Sequence, residues 1–297
     1  MKVGFVGTGI MGRPMARRLQ DAGHQLFIVK HRSAPPEELL DKGAVLADSA
    51  MEVAQTSEVV FTMVPDTAAV EDALFRNLGV AAGLSPGKVV VDMSSISPSA
   101  TRTFAERVRR LGCDYLDAPV SGGDLGAREG NLSIMVGGTP EAFARVKPLF
   151  EVMGKTVTLV GQTGAGQTCK VANQMIVGIN IAAVSEALVL ASKAGLDPVR
   201  VREALLGGFA SSRVLDVHGR RMIDRAFEPG GRIELHQKDL GLALAEAGEL
   251  GVAVPMTSIC RDLMDECAAH GGAGWDHSAL IRAYELLADP ELDSRPG

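Results

Sequence analysis

The sequence predicts an α/β fold: an N-terminal Rossmann-type doubly wound sheet over residues 1–161, then an all-helical C-terminal domain over 162–297, joined by a long interdomain helix. Three observations predict it. A glycine-rich turn, Gly7-Thr8-Gly9-Ile10-Met11-Gly12, stands between a short β-branched run and a helix-like run. Short apolar runs of strand length then alternate with helix-like runs as far as residue 160, the pattern of a parallel sheet with helices on its faces. Beyond Gln174 the chain turns almost wholly apolar through Ala194, and no convincing strand signal follows.

Composition narrows the classes. A chain of 297 residues accommodates two domains and an ample core, and 46% hydrophobic with 22% charged residues is globular usage rather than disorder. The net charge of −6 comes without any basic block, so nucleic acid is not an expected partner. The N-terminus enters a strand directly, without a signal-peptide core, and a cytoplasmic location is expected. Cys113, Cys169, Cys260 and Cys267 are widely spaced, with no Cys-x-x-Cys pair and no histidine spacing suited to zinc. Reduced thiols and no metal are expected. Cys169 adjoins Lys170 but has no evident base beside it, so it reads as a small apolar filler rather than a nucleophile.

The first strand, residues 2–6, runs into Gly7-x-Gly9-x-x-Gly12 and a helix to residue 22. In that setting the first glycine permits the tight turn, the second lets a pyrophosphate approach the backbone, and the third lets helix pack on strand. A dinucleotide site over Gly7, Thr8, Gly9, Ile10, Met11 and Gly12 is expected; a ligand-free glycine turn is the bland alternative. The second strand, 25–29, ends in Lys30-His31-Arg32-Ser33. An NAD-preferring site places Asp or Glu here to bind the ribose hydroxyls, and none is present. Lys30, His31 and Arg32 suit a 2′-phosphate instead, which predicts NADP(H) over NAD(H), with a solvated basic loop as the alternative.

Strands follow at 59–63 and 89–92, with a helix at 68–74 between them; Ser97-Pro98 then supplies an N-cap and a first-turn proline for a helix reaching Leu111. Ligands of such sheets bind beyond the carboxyl ends of the strands, so Val64-Pro65-Asp66 and Met93-Ser94-Ser95 are candidate cofactor-lining loops, though ordinary turns use the same residue types. A strand at 114–117 leads into Ala118-Pro119-Val120-Ser121-Gly122-Gly123, where a hydroxyl and open backbone N–H groups can grip a carboxylate or form a structural turn. Strand, helix and strand at 132–136, 140–150 and 156–160 complete the first domain.

Residues 167–194 read as one buried helix of roughly 40 Å. Its length and apolarity would suit a membrane span, but its polar interruptions and lack of interfacial aromatics favour a core helix. Lys170, Asn173 and Gln174 share one face at i, i+3 and i+4. Lys170 is therefore the candidate proton donor to a substrate oxygen, against the alternative of a merely capping or ion-paired lysine. Further helices are expected at 198–206, 238–250, 255–270 and, capped by Asp276, up to 288. His24, His218 and His270 show no surrounding constellation. His236, just ahead of a predicted helix, and His277 are ambiguous, and Lys238 reads either as a residue of the cleft or as part of a charged helix start.

These motifs together resemble the β-hydroxyacid dehydrogenase family: Gly7-x-Gly9-x-x-Gly12, Asp117-Ala118-Pro119-Val120-Ser121-Gly122-Gly123, Gly164-Ala165-Gly166 with Lys170-x-x-Asn173, and Lys238-Asp239-Leu240. The resemblance covers essentially the whole chain. Gly207-Gly208-Phe209-Ala210-Ser211-Ser212, Leu235-His236-Gln237-Lys238-Asp239-Leu240 and Asp276-His277-Ser278-Ala279-Leu280 resemble its tartronate semialdehyde reductase (2-hydroxy-3-oxopropionate reductase) group most. The resemblance implies Lys170 as catalytic lysine, Ser121, Gly122 and Gly123 on the substrate carboxylate, and Lys238 at the cofactor and active-site cleft. It also implies an NAD(P) cofactor, a homodimer or homotetramer, and no metal. Many relatives carry asparagine four residues after the lysine; here that place is Gln174, with Asn173 one residue earlier, so which amide faces a substrate is open. The expected reaction is reduction of tartronate semialdehyde, with 3-hydroxyisobutyrate dehydrogenation and non-catalytic dinucleotide binding as alternatives.

Overall fold

The computed structural model describes residues 1–30 and 35–289. Its strands are β1 (Lys2–Val6), β2 (Gln25–Val29), β3 (Val45–Ala47), β4 (Val59–Thr62), β5 (Val89–Asp92), β6 (Asp114–Asp117), β7 (Val120–Ser121), β8 (Leu132–Gly137) and β9 (Gly154–Gly161). Between them run α1 (Gly12–Asp21), α2 (Glu37–Leu40), α3 (Ala50–Thr56), α4 (Thr67–Phe75), α5 (Val80–Gly83), α6 (Pro98–Arg109), α7 (Gly123–Glu129) and α8 (Pro140–Met153). Then come α9 (Ala165–Lys193), α10 (Pro198–Leu206), α11 (Arg213–Asp224), α12 (Ile233–Leu250), α13 (Pro255–Cys267) and α14 (Ile281–Ala288). The chain falls into two units, Met1–Lys170 and Val171–Gly297, so the first turns of α9 pack with the sheet.

In the first unit the strand order is β3-β2-β1-β4-β5-β6-β8-β7, with β9 beside β8. The pairs from β3 to β6 are parallel, while β8 runs antiparallel to β6 and β7 and parallel to β9. Both faces are covered, as the strand sequences require: Val59 and Phe61 join one buried cluster with Phe5, Leu19 and Phe150, while Val60 joins the other with Leu74, Val90 and Phe104. Alternate side chains on a pleated strand point to opposite faces, so an unbroken apolar run is what a strand between two helical layers needs. Crossing from β1 to β4 reverses the winding, and that switch point is where such sheets bind ligands.

The second unit is helical; among the described residues its β pairing is one isolated bridge, Arg232 to Asp276. Its core gathers Ile181, Leu188, Leu215, Met222, Leu240, Met264 and Leu280. Several caps were legible in sequence: Ser97 accepts from the Ala100 N–H, Asp197 from Val199 and Asp276 from Ser278.

Four expectations need correction. The short α2, β3, α3, α5, β7 and α7 were not anticipated, because elements of two to seven residues leave too few turns for a period to show, and the twelve-residue α11 was missed as well. Helix α12 begins at Ile233, five residues before the expected start at 238, which puts His236 inside the helix. The last helix is preceded by a 3₁₀ turn, His277–Leu280, which is what Asp276 caps. Helix α9 is continuous but not fully buried: only 33% of its most apolar stretch lies inside, and Ile176 and Leu190 are 66% and 72% exposed. By length and composition alone α9 would be long and apolar enough to cross a membrane.

Candidate active site

The turn after β1 has the geometry its three glycines imply. Gly7 sits at φ +102°, and a Cβ there would stand 2.2 Å from the Met63 carbonyl oxygen. A Cβ on Gly12 would stand 1.9 Å from the Gly7 oxygen, so only glycine lets α1 start this close to the strand end. Around Gly9, by contrast, no atom lies within 4 Å of an added Cβ, and Gly9 and Ile10 are exposed. Helix α1 has no side-chain cap at Met11. The Arg13 N–H donates to the Gly9 oxygen at 3.0 Å, so the positive end of α1 starts at the open turn around Gly9, where a pyrophosphate is bound in such folds. A dinucleotide fits these residues.

Along the same carboxyl edge, the loops after β4 and β5 are tied to one buried carboxyl. Asp92 accepts from Thr62 Oγ1 at 2.9 Å and the Ser94 N–H at 3.0 Å, and Tyr115 donates to its other oxygen at 3.3 Å. Burial pushes its pKa up to about 6, against the pull of the Ser94, Thr62 and Tyr115 donors. Ser94 Oγ in turn accepts from the Val64 N–H at 3.0 Å. Ser94 is thus fully buried as a brace between the two loops, while Pro65 is exposed and Val64 and Ser95 half-buried.

Lys170 is placed by the end of β6. The Asp117 carboxylate, fully buried, accepts from the Gly164 N–H at 2.8 Å and the Gln167 N–H at 2.9 Å, holding the start of α9 by its unpaired donors. Burial raises its pKa, opposed by those same backbone donors. Gln167 completes the anchor: its amide donates to the Ser94 oxygen at 2.7 Å and its carbonyl oxygen accepts from the Ile96 N–H at 3.1 Å. The approach depends on Gly166, where a Cβ would lie 2.5 Å from the Met135 oxygen and 2.6 Å from the Asp117 oxygen. Lys170, 8% exposed, stands one turn further along this fixed helix start. Four residues after Asp117, Ser121 ends β7, and Gly122 (φ +134°) and Gly123 (φ +63°) are exposed, with no side chain capping the N–H groups that follow. The anchor of α9 and the serine-glycine-glycine turn therefore belong to one stretch of chain.

In the second unit the amide pair is oriented. Asn173 Nδ2 donates to Gln174 Oε1 at 2.8 Å, and Gln174 Nε2 donates to Asp239 Oδ2 at 2.7 Å. Lys238 Nζ lies 3.0 Å from Asp239 Oδ1, with its side chain 24% exposed. His218, expected to lack a constellation, is corrected: with His236, His277 and Asp276 it forms a partly buried chain drawn from α11, α12 and the 3₁₀ turn. Residues at 218, 236 and 277 carry no spacing motif, so only the packing of three separate elements reveals them. Lys30 is exposed at the end of β2; His31 and Arg32, with Ser33, lie outside the described residues. All four cysteines are free, Cys169 half-buried and the others buried.

Comparison with known proteins accords with these two units. Residues 2–161 match the family model for the NAD-binding domain of 6-phosphogluconate dehydrogenase, and residues 164–284 match the NAD-binding model of NADP-dependent 3-hydroxyisobutyrate dehydrogenase. The chain is 59% identical over 292 residues to 2-hydroxy-3-oxopropionate reductase of Escherichia coli K12, covering 98% of this chain and 100% of that protein. It is 35% identical to 3-hydroxyisobutyrate dehydrogenase of Pseudomonas aeruginosa, over 94% of this chain and 95% of the relative. Among solved structures, 3-hydroxyisobutyrate dehydrogenase of Salmonella typhimurium superposes with a TM-score of 0.86 at 31% identity, covering 95% of this chain and 99% of that one.

Proposed function

The chain belongs to the β-hydroxyacid dehydrogenase family, and from that premise we infer that it catalyses NAD(P)H-dependent reduction of 2-hydroxy-3-oxopropionate (tartronate semialdehyde) to D-glycerate in glyoxylate and sugar-acid metabolism. The observation that carries the substrate is end-to-end identity with the E. coli reductase, at a level well above that with the 3-hydroxyisobutyrate enzymes.

A bound reduced nicotinamide supplies the hydride. The residues that would hold the cofactor are Gly7, Thr8, Gly9, Ile10, Met11 and Gly12 at its pyrophosphate, with Val64, Pro65, Ser94, Ser95 and Lys238 lining or bracing its site. Lys170 donates a proton to the aldehyde oxygen as the carbon is reduced, and takes it back in the reverse direction. Ser121 and the N–H groups of Gly122 and Gly123 hold the substrate carboxylate. Asn173 contacts the substrate and Gln174 orients it, a division favoured by Gln174 accepting from Asn173 while donating to Asp239. Lys30, His31 and Arg32 favour a 2′-phosphate and hence NADP(H). The exposed apolar side of α9 supports assembly as a homodimer or homotetramer. Four free cysteines accord with a cytoplasmic location.

One kinetic panel tests this reading: NADPH and NADH with 2-hydroxy-3-oxopropionate and, in the oxidative direction, NADP+ and NAD+ with glycerate and 3-hydroxyisobutyrate. The oxopropionate–glycerate pair is expected to give the highest kcat/KM, with NADPH preferred and Arg32→Ala narrowing that preference. A large advantage for 3-hydroxyisobutyrate would overturn the substrate, and equal use of both cofactors would overturn the preference.

A further inference from the structure

Helix α12 touches α9 through two side chains on one face. Asp239 receives the Gln174 amide, and one turn earlier His236, 2% exposed, places Nε2 3.0 Å from the Gln174 carbonyl oxygen. Gly178 leaves room for that approach: a Cβ there would lie 3.1 Å from His236 Nε2 and 3.2 Å from Cys260 Sγ, a tight fit. The imidazole is therefore built into the backbone of the turn that follows Asn173.

A chain of contacts continues behind it. His236 Nδ1 lies 2.9 Å from His277 Nδ1, His277 Nε2 lies 3.3 Å from His218 Nε2, and His218 Nδ1 lies 3.6 Å from Asp276 Oδ1. Four contacts link the Gln174 oxygen to the Asp276 carboxylate. The last is too long for a hydrogen bond, and His218 Nδ1 is buried with no hydrogen-bond partner. A carbonyl only accepts, so His236 carries its proton on Nε2. It then accepts at Nδ1 from His277, which accepts at Nε2 from His218. Burial keeps the His277 imidazole neutral, and the two neighbouring histidines act in the same direction.

His218, Asp276 and His277 also present ligand atoms within 4.8 Å of one another, the spacing of a cation site. Asp276 is already saturated. Its Oδ2 accepts from the Gly230 and Gly231 N–H groups, its Oδ1 accepts from the Ser278 N–H and hydroxyl, and Arg221 lies 3.6 Å away. The cluster thus works as a proton-ordered brace.

We propose that His236 is a positioning residue for the substrate-facing turn of α9, its tautomer set by His277 and His218. The functional half of this proposal rests on the reading of Asn173 and Gln174 given above. Imidazole 15N NMR at neutral pH, with the protein labelled at histidine and signals assigned by single-histidine variants, tests the order directly. His236 and His218 are expected protonated at Nε2 and His277 at Nδ1, the less common neutral form; His277 protonated at Nε2 would overturn the chain. Kinetics test the role. His236→Phe removes the donor and is expected to raise KM for the oxo acid roughly tenfold, the scale of one lost hydrogen bond, with a smaller effect on kcat. His236→Gln keeps an amide donor near the Nε2 position and is expected to restore most of that loss. Equal KM values for the two variants would overturn the positioning role. If another oxo acid proves to be the substrate, the tautomer order and the Phe–Gln contrast are read unchanged on that compound; a wrong tautomer order leaves the assigned reaction standing.

Discussion

At the scale of single residues, the first unit concentrates its buried polar chemistry at the carboxyl ends of β4, β5 and β6. Asp92 is the clearest case: an ordinary carboxyl near 3.8 is pushed to about 6 by complete burial. The folded protein therefore binds a proton at Asp92 that the unfolded chain has released. Its contribution to stability is fully present below about pH 4 and is lost as pH rises through about 6; the gap between 3.8 and 6 corresponds to about 3 kcal/mol. Denaturant titrations of wild type and Asp92→Asn across pH 4 to 7 are expected to diverge in that direction, wild type losing ground to the variant as pH rises. Parallel curves would show that Asp92 does not titrate in this window. The close-packed glycine turn was legible in sequence because it sits in a recognisable motif, as do Lys170 and Ser121, whose roles are proposals. Asp117 as the anchor of α9 was not, since an aspartate at a strand end reads like any turn residue until the partner N–H groups arrive from Gly164 and Gln167.

Among the elements, α9 matters most, and its start is fixed by contacts that tolerate no side chain at Gly166. A Gly166→Ala methyl would fall 2.5 Å from the Met135 oxygen, so the helix start must shift away from β6 and β8. A displacement near 1 Å costs roughly a hundredfold in rate when it misplaces a reacting group. This variant is expected to lose kcat on that scale while still binding NADPH, measured by nicotinamide fluorescence. An unchanged kcat would mean that the anchor does not position Lys170. Apart from α11 and the start of α12, the longer strands and helices were read within a few residues of their observed bounds, because the valine runs and the caps at Ser97, Asp197 and Asp276 carry their own signals. The polar run at the start of α12 hid its true beginning: Glu234 and Gln237 fall ahead of the expected start at Lys238, and the helix shows there only once His236 and Asp239 are seen turned inward.

For the molecule as a whole, the two-part layout was visible in the change from alternating short runs to one continuous apolar stretch, but the exposure of that stretch was not. An apolar run looks the same whether its own chain or a second copy covers it. Sedimentation of the wild type is expected to show a dimer or tetramer at micromolar concentration, and Leu190→Glu, which places a charge on the exposed side of α9, is expected to yield a smaller species. A monomeric wild type would refute self-association. The central claim is that the Lys170 ammonium supplies the proton for carbonyl reduction, and Lys170→Met tests it most directly, as an apolar side chain of similar length. Single-turnover reduction of 2-hydroxy-3-oxopropionate by the NADPH-loaded variant is expected to slow by roughly 10²- to 10⁴-fold, with NADPH affinity retained. Turnover near the wild-type rate in a folded, nucleotide-loaded protein would contradict it.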